Sequence, residues 1–169
     1  GDSNEPKYTP KGRVVEIAKE VEPTNQCQTY ECYLFSVINY INVYNKMKFG
    51  ARAARISEPF LVAHKFLEHI KEGLRFGVDD PRLIHDLEGG YSYEAFHLTR
   101  KVGLVPKRSW RPDIPFDKWN ITKIYSVLKK EIPIGHESLK KLAKSHGWES
   151  EIVKNAHAEL FDKLKQVIL

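Results

Sequence analysis

Apolar residues recur at helical spacing along much of this chain. From Cys32 to about Asn45 the positions Leu34, Val37, Ile38, Ile41 and Tyr44 form one stripe. Phe35, Val43 and Met47 broaden it and predict a helix buried on most sides. A second helix is predicted over 58–72: Ser57 is a favourable N-cap, Pro59 suits the first turn and Gly73 is a stop signal. A third is predicted over 92–102, ended by Gly103, with Leu104, Val105 and Pro106 extended beyond it. Two more are expected near 119–131 and 138–146, stopped by Pro133 and Gly147. The last runs over 150–168, its stripe formed by Ile152, Val153, Ala156, Leu160, Leu164 and Ile168. No later segment of the sequence is available to cover that stripe, which predicts an exposed apolar face. Val14, Val15 and Ile17 suggest a short strand or turn, and residues 1–11 a flexible polar arm.

A hydrophobic fraction of 41% in 169 residues supports a packed core and excludes a disordered chain. The net charge of +5 comes from 27 basic and 22 acidic residues that alternate along the sequence, which argues against a nucleic-acid face. No apolar run approaches the roughly 20 residues of a membrane span. No basic n-region and apolar h-region open the chain, so any secretory leader is expected to have been removed. Cytoplasmic and exported locations both fit. Two cysteines, Cys27 and Cys32, are too few for a disulfide scaffold. If Cys32 opens a helix, the short loop between them also disfavours a bridge.

The segment from Gln26 to Ser36 carries the most chemistry. A thiol in the first turn of a buried helix meets unpaired backbone N–H groups and the positive end of the helix dipole, the surroundings a thiolate nucleophile needs. The Cys32 N–H and a nearby amide side chain can together hold a tetrahedral oxyanion, and Gln26 lies six residues upstream on a loop able to fold back. On this chemistry alone, Cys32 reads more readily as a small buried apolar residue. The histidines at 64, 69, 85, 97, 136, 146 and 157 show no metal-ligand spacing, and neither a metal nor any other cofactor is expected.

Gln26, Cys32, Phe35 and Ser36, with Tyr33 as the aromatic residue after the thiol, resemble the nucleophile loop of papain-superfamily cysteine peptidases. Thr29, Tyr30 and Glu31 depart from that loop, which has a cysteine, a glycine and a small residue there. A second block agrees in order and spacing. Ser57, Glu58, Phe60, Leu61 and Val62 resemble the family's second helix, and Gly89-Gly90-Tyr91-Ser92-Tyr93 its glycine turn. Gly103-Leu104-Val105-Pro106-Lys107 is similar to the bleomycin hydrolase and aminopeptidase C branch.

The resemblance implies an α+β, papain-like cysteine proteinase fold, of which this chain supplies the mostly helical lobe plus a helical insertion. Residues 12–116 would be the nucleophile lobe and 117–169 the insertion. It implies a thiol peptidase of aminopeptidase type, with Cys32 as nucleophile and Gln26 as oxyanion donor. Gly89 and Gly90 would bond an extended peptide substrate, and Tyr91 and Tyr93 would shape the adjoining side-chain pocket. The base and its orienter should lie roughly 130–150 residues after the thiol. That window opens near Asp162 and holds no histidine, so the catalytic His and Asn are expected on a second polypeptide or a C-terminal segment. His157 reads as a helix-surface residue. Self-association is left open. The other reading is a catalytically inactive papain-like module that binds peptides or a protein partner.

Overall fold

The computed structural model describes residues 30–110 and 118–168. Gln26, Cys27, the arm over 1–11 and the strand or turn expected near 14–17 lie outside the described residues. Five helices follow one another: α1 (Cys32–Phe49), α2 (Glu58–Phe76), α3 (Ser92–Val102), α4 (Ile121–His146) and α5 (Glu151–Lys165). Helix accounts for 73% of the described structure, with no strand or sheet among the described residues. The expectation of an α+β papain-like fold is therefore corrected. Extended backbone around Ile56 and Pro106 meets in one isolated antiparallel bridge. The Ser57 N–H donates to the Val105 carbonyl at 2.9 Å and the Lys107 N–H to the Arg55 carbonyl at 2.7 Å. Pro106 has no N–H with which to continue a ladder, and the chain turns into α2 at Glu58 and into a 3-10 turn at Lys107.

α2 is the central element and packs against α1, α3, α4 and α5. Its start follows the sequence closely: the Ser57 hydroxyl accepts the Phe60 N–H and Pro59 occupies the first turn. Gly73 does not end it; the helix continues to Phe76 and stops at Gly77, whose φ is 88°. Gly73 instead makes room for a helix crossing, since a Cβ there would lie 2.7 Å from Ile132 Cγ2 on α4. Gly135 is the reciprocal position, where a Cβ would lie 2.6 Å from Leu74 Cδ2. This close approach also bears on α4, one helix through Pro133 rather than two stopped by it. Leu128, Ile132 and Leu139 are buried on both sides of the proline, and that packing offsets the hydrogen bond proline omits.

α5 corrects a further expectation. Its N-cap, Ser150, accepts the Val153 N–H, and the helix turns back onto α2 and α4. Val153, Leu164 and Ile168 are buried, and Ile152 alone of the expected stripe is an exposed large apolar residue. Preceding elements cover the stripe. The reverse holds for α1, where Tyr40, Tyr44 and Met47 are exposed along one face while Leu34, Phe35, Val37 and Ile38 enter the core.

Candidate functional site

Cys32 is the first residue of α1 and carries an exposed free thiol. The N-cap residue, Glu31, makes no side-chain cap bond; its carbonyl accepts the Leu34 and Phe35 N–H groups at 3.0 and 3.1 Å. The first N–H groups of a helix have no intrahelical carbonyl to pair with, and the Glu31 side chain does not cap them here. The helix continues as an exposed face that begins with Cys32 and Ser36 and runs on through Tyr40, Tyr44 and Met47. The Ser36 hydroxyl donates to the Cys32 carbonyl at 2.8 Å.

Glu31 turns inward. Its side chain and that of Lys65 on α2 are both 0% exposed and form an ion pair. The Lys65 ammonium donates to both carboxylate oxygens, at 2.6 and 2.7 Å, and to the carbonyls of Leu87 and Gly89, each at 3.1 Å. It also lies 5.4 Å from the centre of the Tyr33 ring. Tyr125 of α4 donates its hydroxyl to Glu31 Oε1 at 3.1 Å and accepts the Tyr30 N–H at 3.4 Å. Burial raises the Glu31 carboxyl, and Lys65 opposes that rise. Burial lowers the Lys65 ammonium, and Glu31 opposes that fall. The charge of Glu31, which directly precedes the thiol in sequence, is thus held in a buried, hydrogen-bonded pair, while Tyr30 is exposed.

The glycine turn lies against this hub. The Gly89 N–H donates to the Tyr30 carbonyl at 3.0 Å. Gly90 is pressed on Tyr33, where a Cβ would come within 2.6 Å of the ring's Cζ. Gly89 faces open space, with nothing within 4 Å of the point a Cβ would occupy. Both have positive φ, 72° and 151°. Glu94, whose carboxyl burial raises, accepts the Tyr91 N–H at 3.2 Å and fixes the entry to α3. Tyr91 and Tyr93 are exposed and stacked, their centroids 5.8 Å apart at 9°. The fold therefore brings the Cys32 segment and the Gly89–Gly90 turn together, with the two tyrosines beside that turn. Gln26 lies outside the described residues.

The histidines engage elsewhere. His69 Nδ1 is 2.7 Å from the His85 carbonyl, His136 Nδ1 is 3.0 Å from the Leu74 carbonyl and His157 Nε2 is 3.1 Å from the Lys71 carbonyl. The His64 ring is tilted against Phe60, with centroids 4.4 Å apart. Lys71 is six residues beyond Lys65, about 9 Å further along α2 by helical rise, which puts the anchor of His157 well along the helix from the hub. No group of three or more His, Cys, Asp or Glu suited to a metal ion occurs among the described residues. A groove of about 980 Å³ runs between α4 and α5 past Pro133, Ile134 and Leu160, and Cys32 is not among its lining residues. No described helix is long and apolar enough to cross a membrane.

Lys65 and Tyr125 carry the hub, and neither stands out in the sequence as a site residue. Lys65 does leave a signal there: it occupies the buried register of α2 with Leu61, Val62, Phe66 and His69, where a lysine needs a partner. Tyr125, 94 residues from Glu31 along the chain, leaves none. In comparisons with known proteins, no family model and no curated protein matches this chain.

Proposed function

We propose that this chain is the nucleophile-bearing part of a cysteine peptidase, acting on peptide bonds in the manner of an aminopeptidase. The observation that carries the reading is the exposed Cys32 at the start of α1, two residues after Tyr30, whose carbonyl accepts the Gly89 N–H of the glycine turn. The motif likeness to papain-superfamily enzymes supports it, without any appeal to an α+β fold. In the proposed reaction the thiolate attacks the scissile carbonyl, and the Cys32 N–H and Gln26 hold the oxyanion. The amine leaves with a proton from a histidine supplied by a second polypeptide or another segment, and water then releases the acyl group. With the Gly89 N–H and carbonyl already bonded to Tyr30 and Lys65, Gly90 is the residue of the turn proposed to offer backbone to an extended peptide, with the exposed Tyr91 and Tyr93 as side-chain contacts.

The test uses the 169-residue chain as Cys27→Ser, so that Cys32 is the sole thiol. A peptidyl chloromethyl ketone should label Cys32 at least about 10-fold faster than chloroacetone, which carries the same reactive group without a peptide, a modest fraction of the advantage that positioning gives. Equal rates would remove the peptide-binding half of the proposal. The chain alone should hydrolyse no aminoacyl fluorogenic substrate above background. Hydrolysis abolished by His157→Ala would make His157 the base. A second reading, an inactive peptide-binding module, keeps the labelling preference but yields no turnover when the partner polypeptide is added. In the assembled enzyme, Gln26→Ala should lower turnover by about 10²–10³-fold, and unchanged turnover would exclude Gln26 as an oxyanion donor.

A further inference from the structure

Four parts of the chain meet at one buried ion pair, that of Lys65 and Glu31. The three protons of the ammonium serve four acceptor oxygens: both of the Glu31 carboxylate and the carbonyls of Leu87 and Gly89. Glu31 is the N-cap of α1 and directly precedes Cys32, while Leu87 and Gly89 lead into Gly90. The ammonium also faces Tyr33, the ring against which Gly90 packs. Tyr125 adds α4 to the same carboxylate. A buried ion pair made only for stability needs its two partners. Here the cation spends half its bonds on backbone carbonyls of a loop from another part of the chain, and those carbonyls belong to the turn bonded to Tyr30, two residues before Cys32.

We infer that Lys65 is a positioning residue that sets the placement of the Gly89–Gly90 turn relative to the start of the Cys32 helix. It acts through Glu31 on one side and through the Leu87 and Gly89 carbonyls on the other. The inference deepens the peptidase reading, in which thiol and turn must hold one peptide between them, but its geometric content is independent of that reading.

Two variants separate positioning from stability. Lys65→Met removes the ammonium and leaves Glu31 buried without its cation, so it also weakens the fold. Glu31→Gln/Lys65→Met removes both charges and relieves that penalty, yet it still lacks every bond from position 65 to the turn. Hydrogen exchange is read at the Gly89 N–H, which donates to the Tyr30 carbonyl, with Leu128 and Leu139 in the α4 core as controls. In the double variant Gly89 should exchange about 10-fold faster or more, the scale of losing a charge-assisted hydrogen bond, while the α4 controls keep their protection. Labelling of Cys32 by the peptidyl chloromethyl ketone should slow by a similar factor, while chloroacetone labelling stays within about 2-fold, because the thiol remains exposed. A folded double variant with wild-type Gly89 exchange would overturn the inference and leave the pair purely structural. Should the wild-type chain show no peptidyl preference, the peptidase reading fails, and Gly89 exchange still decides whether Lys65 positions the turn.

Discussion

At Gly90 the backbone, the Tyr33 ring and the Glu94 carboxylate share a space that admits no methyl group. Its neighbour Gly89 needs glycine for a different reason, a φ of 72° with open space around it. The two should respond differently to alanine. Gly89→Ala should cost about 1 kcal/mol, the backbone term alone. Gly90→Ala must also displace packed side chains and should cost about 1–3 kcal/mol more. Urea unfolding of the two variants measures this, and equal costs would mean that the Tyr33 contact yields freely. The Tyr125 hydroxyl offers a cleaner probe, since Tyr125→Phe removes one oxygen and keeps the ring packed on Phe66. Glu31 then loses a donor that it has when buried, at a cost of about 1–3 kcal/mol in the same assay.

Between elements, the tightest constraint is the crossing of α2 and α4 at Gly73 and Gly135. Gly135→Ala would gain helix propensity on an isolated helix, but here the methyl meets Leu74 and the two helices must part. The expected outcome is a net loss of about 1–3 kcal/mol, seen as a lower melting temperature. Leu164→Ala on the inner face of α5 should cost about 2–5 kcal/mol; a near-neutral result would return α5 to the exposed role its sequence suggested. Much of this level was legible beforehand. Ser57 capping α2, Gly103 ending α3 and Gly147 ending α4 are local signals that the folded chain keeps. The errors came from positions whose meaning is tertiary. Gly73 reads as a stop until Ile132 is known to lie above it, and Pro133 reads as a break until its neighbours are buried on both sides. Tyr44 and Met47 match the apolar period of α1 yet face outward, because period alone does not say which face finds a partner. At the site, the thiol and the glycine pair were visible as motif residues. The ion pair joining them was not, since local patterning is silent about residues 34 apart, as Glu31 and Lys65 are.

For the molecule as a whole, acid is the condition to which it should be most sensitive. His85 is fully buried with both ring nitrogens unpaired, beside His97 at a centroid distance of 5.5 Å. Burial, with His97 adding to it, pushes His85 down to about 4, and burial lowers His69 as well. Both fold as neutral rings. Their contribution is complete above the ordinary histidine range near 6.5 and is lost as pH falls toward 4, where the unfolded chain takes up protons that the folded one refuses. For His85 the loss across that window is roughly 2–3 kcal/mol. Glu31 and Glu94 are raised by burial and titrate in the opposite sense, so the histidine part is isolated by comparison with His85→Leu. The variant should flatten the melting-temperature profile between pH 6.5 and 4; an unchanged slope would exclude His85 as its source. Tyr125 has a wider implication. The surroundings of Cys32 are completed by a side chain from the far half of the sequence, so neither half can build them alone. Separately produced fragments 1–110 and 118–169, once mixed, should reassociate as a split protein. Protection of the Gly89 amide would then report complementation, appearing with the second fragment and weakening when that fragment carries Tyr125→Phe.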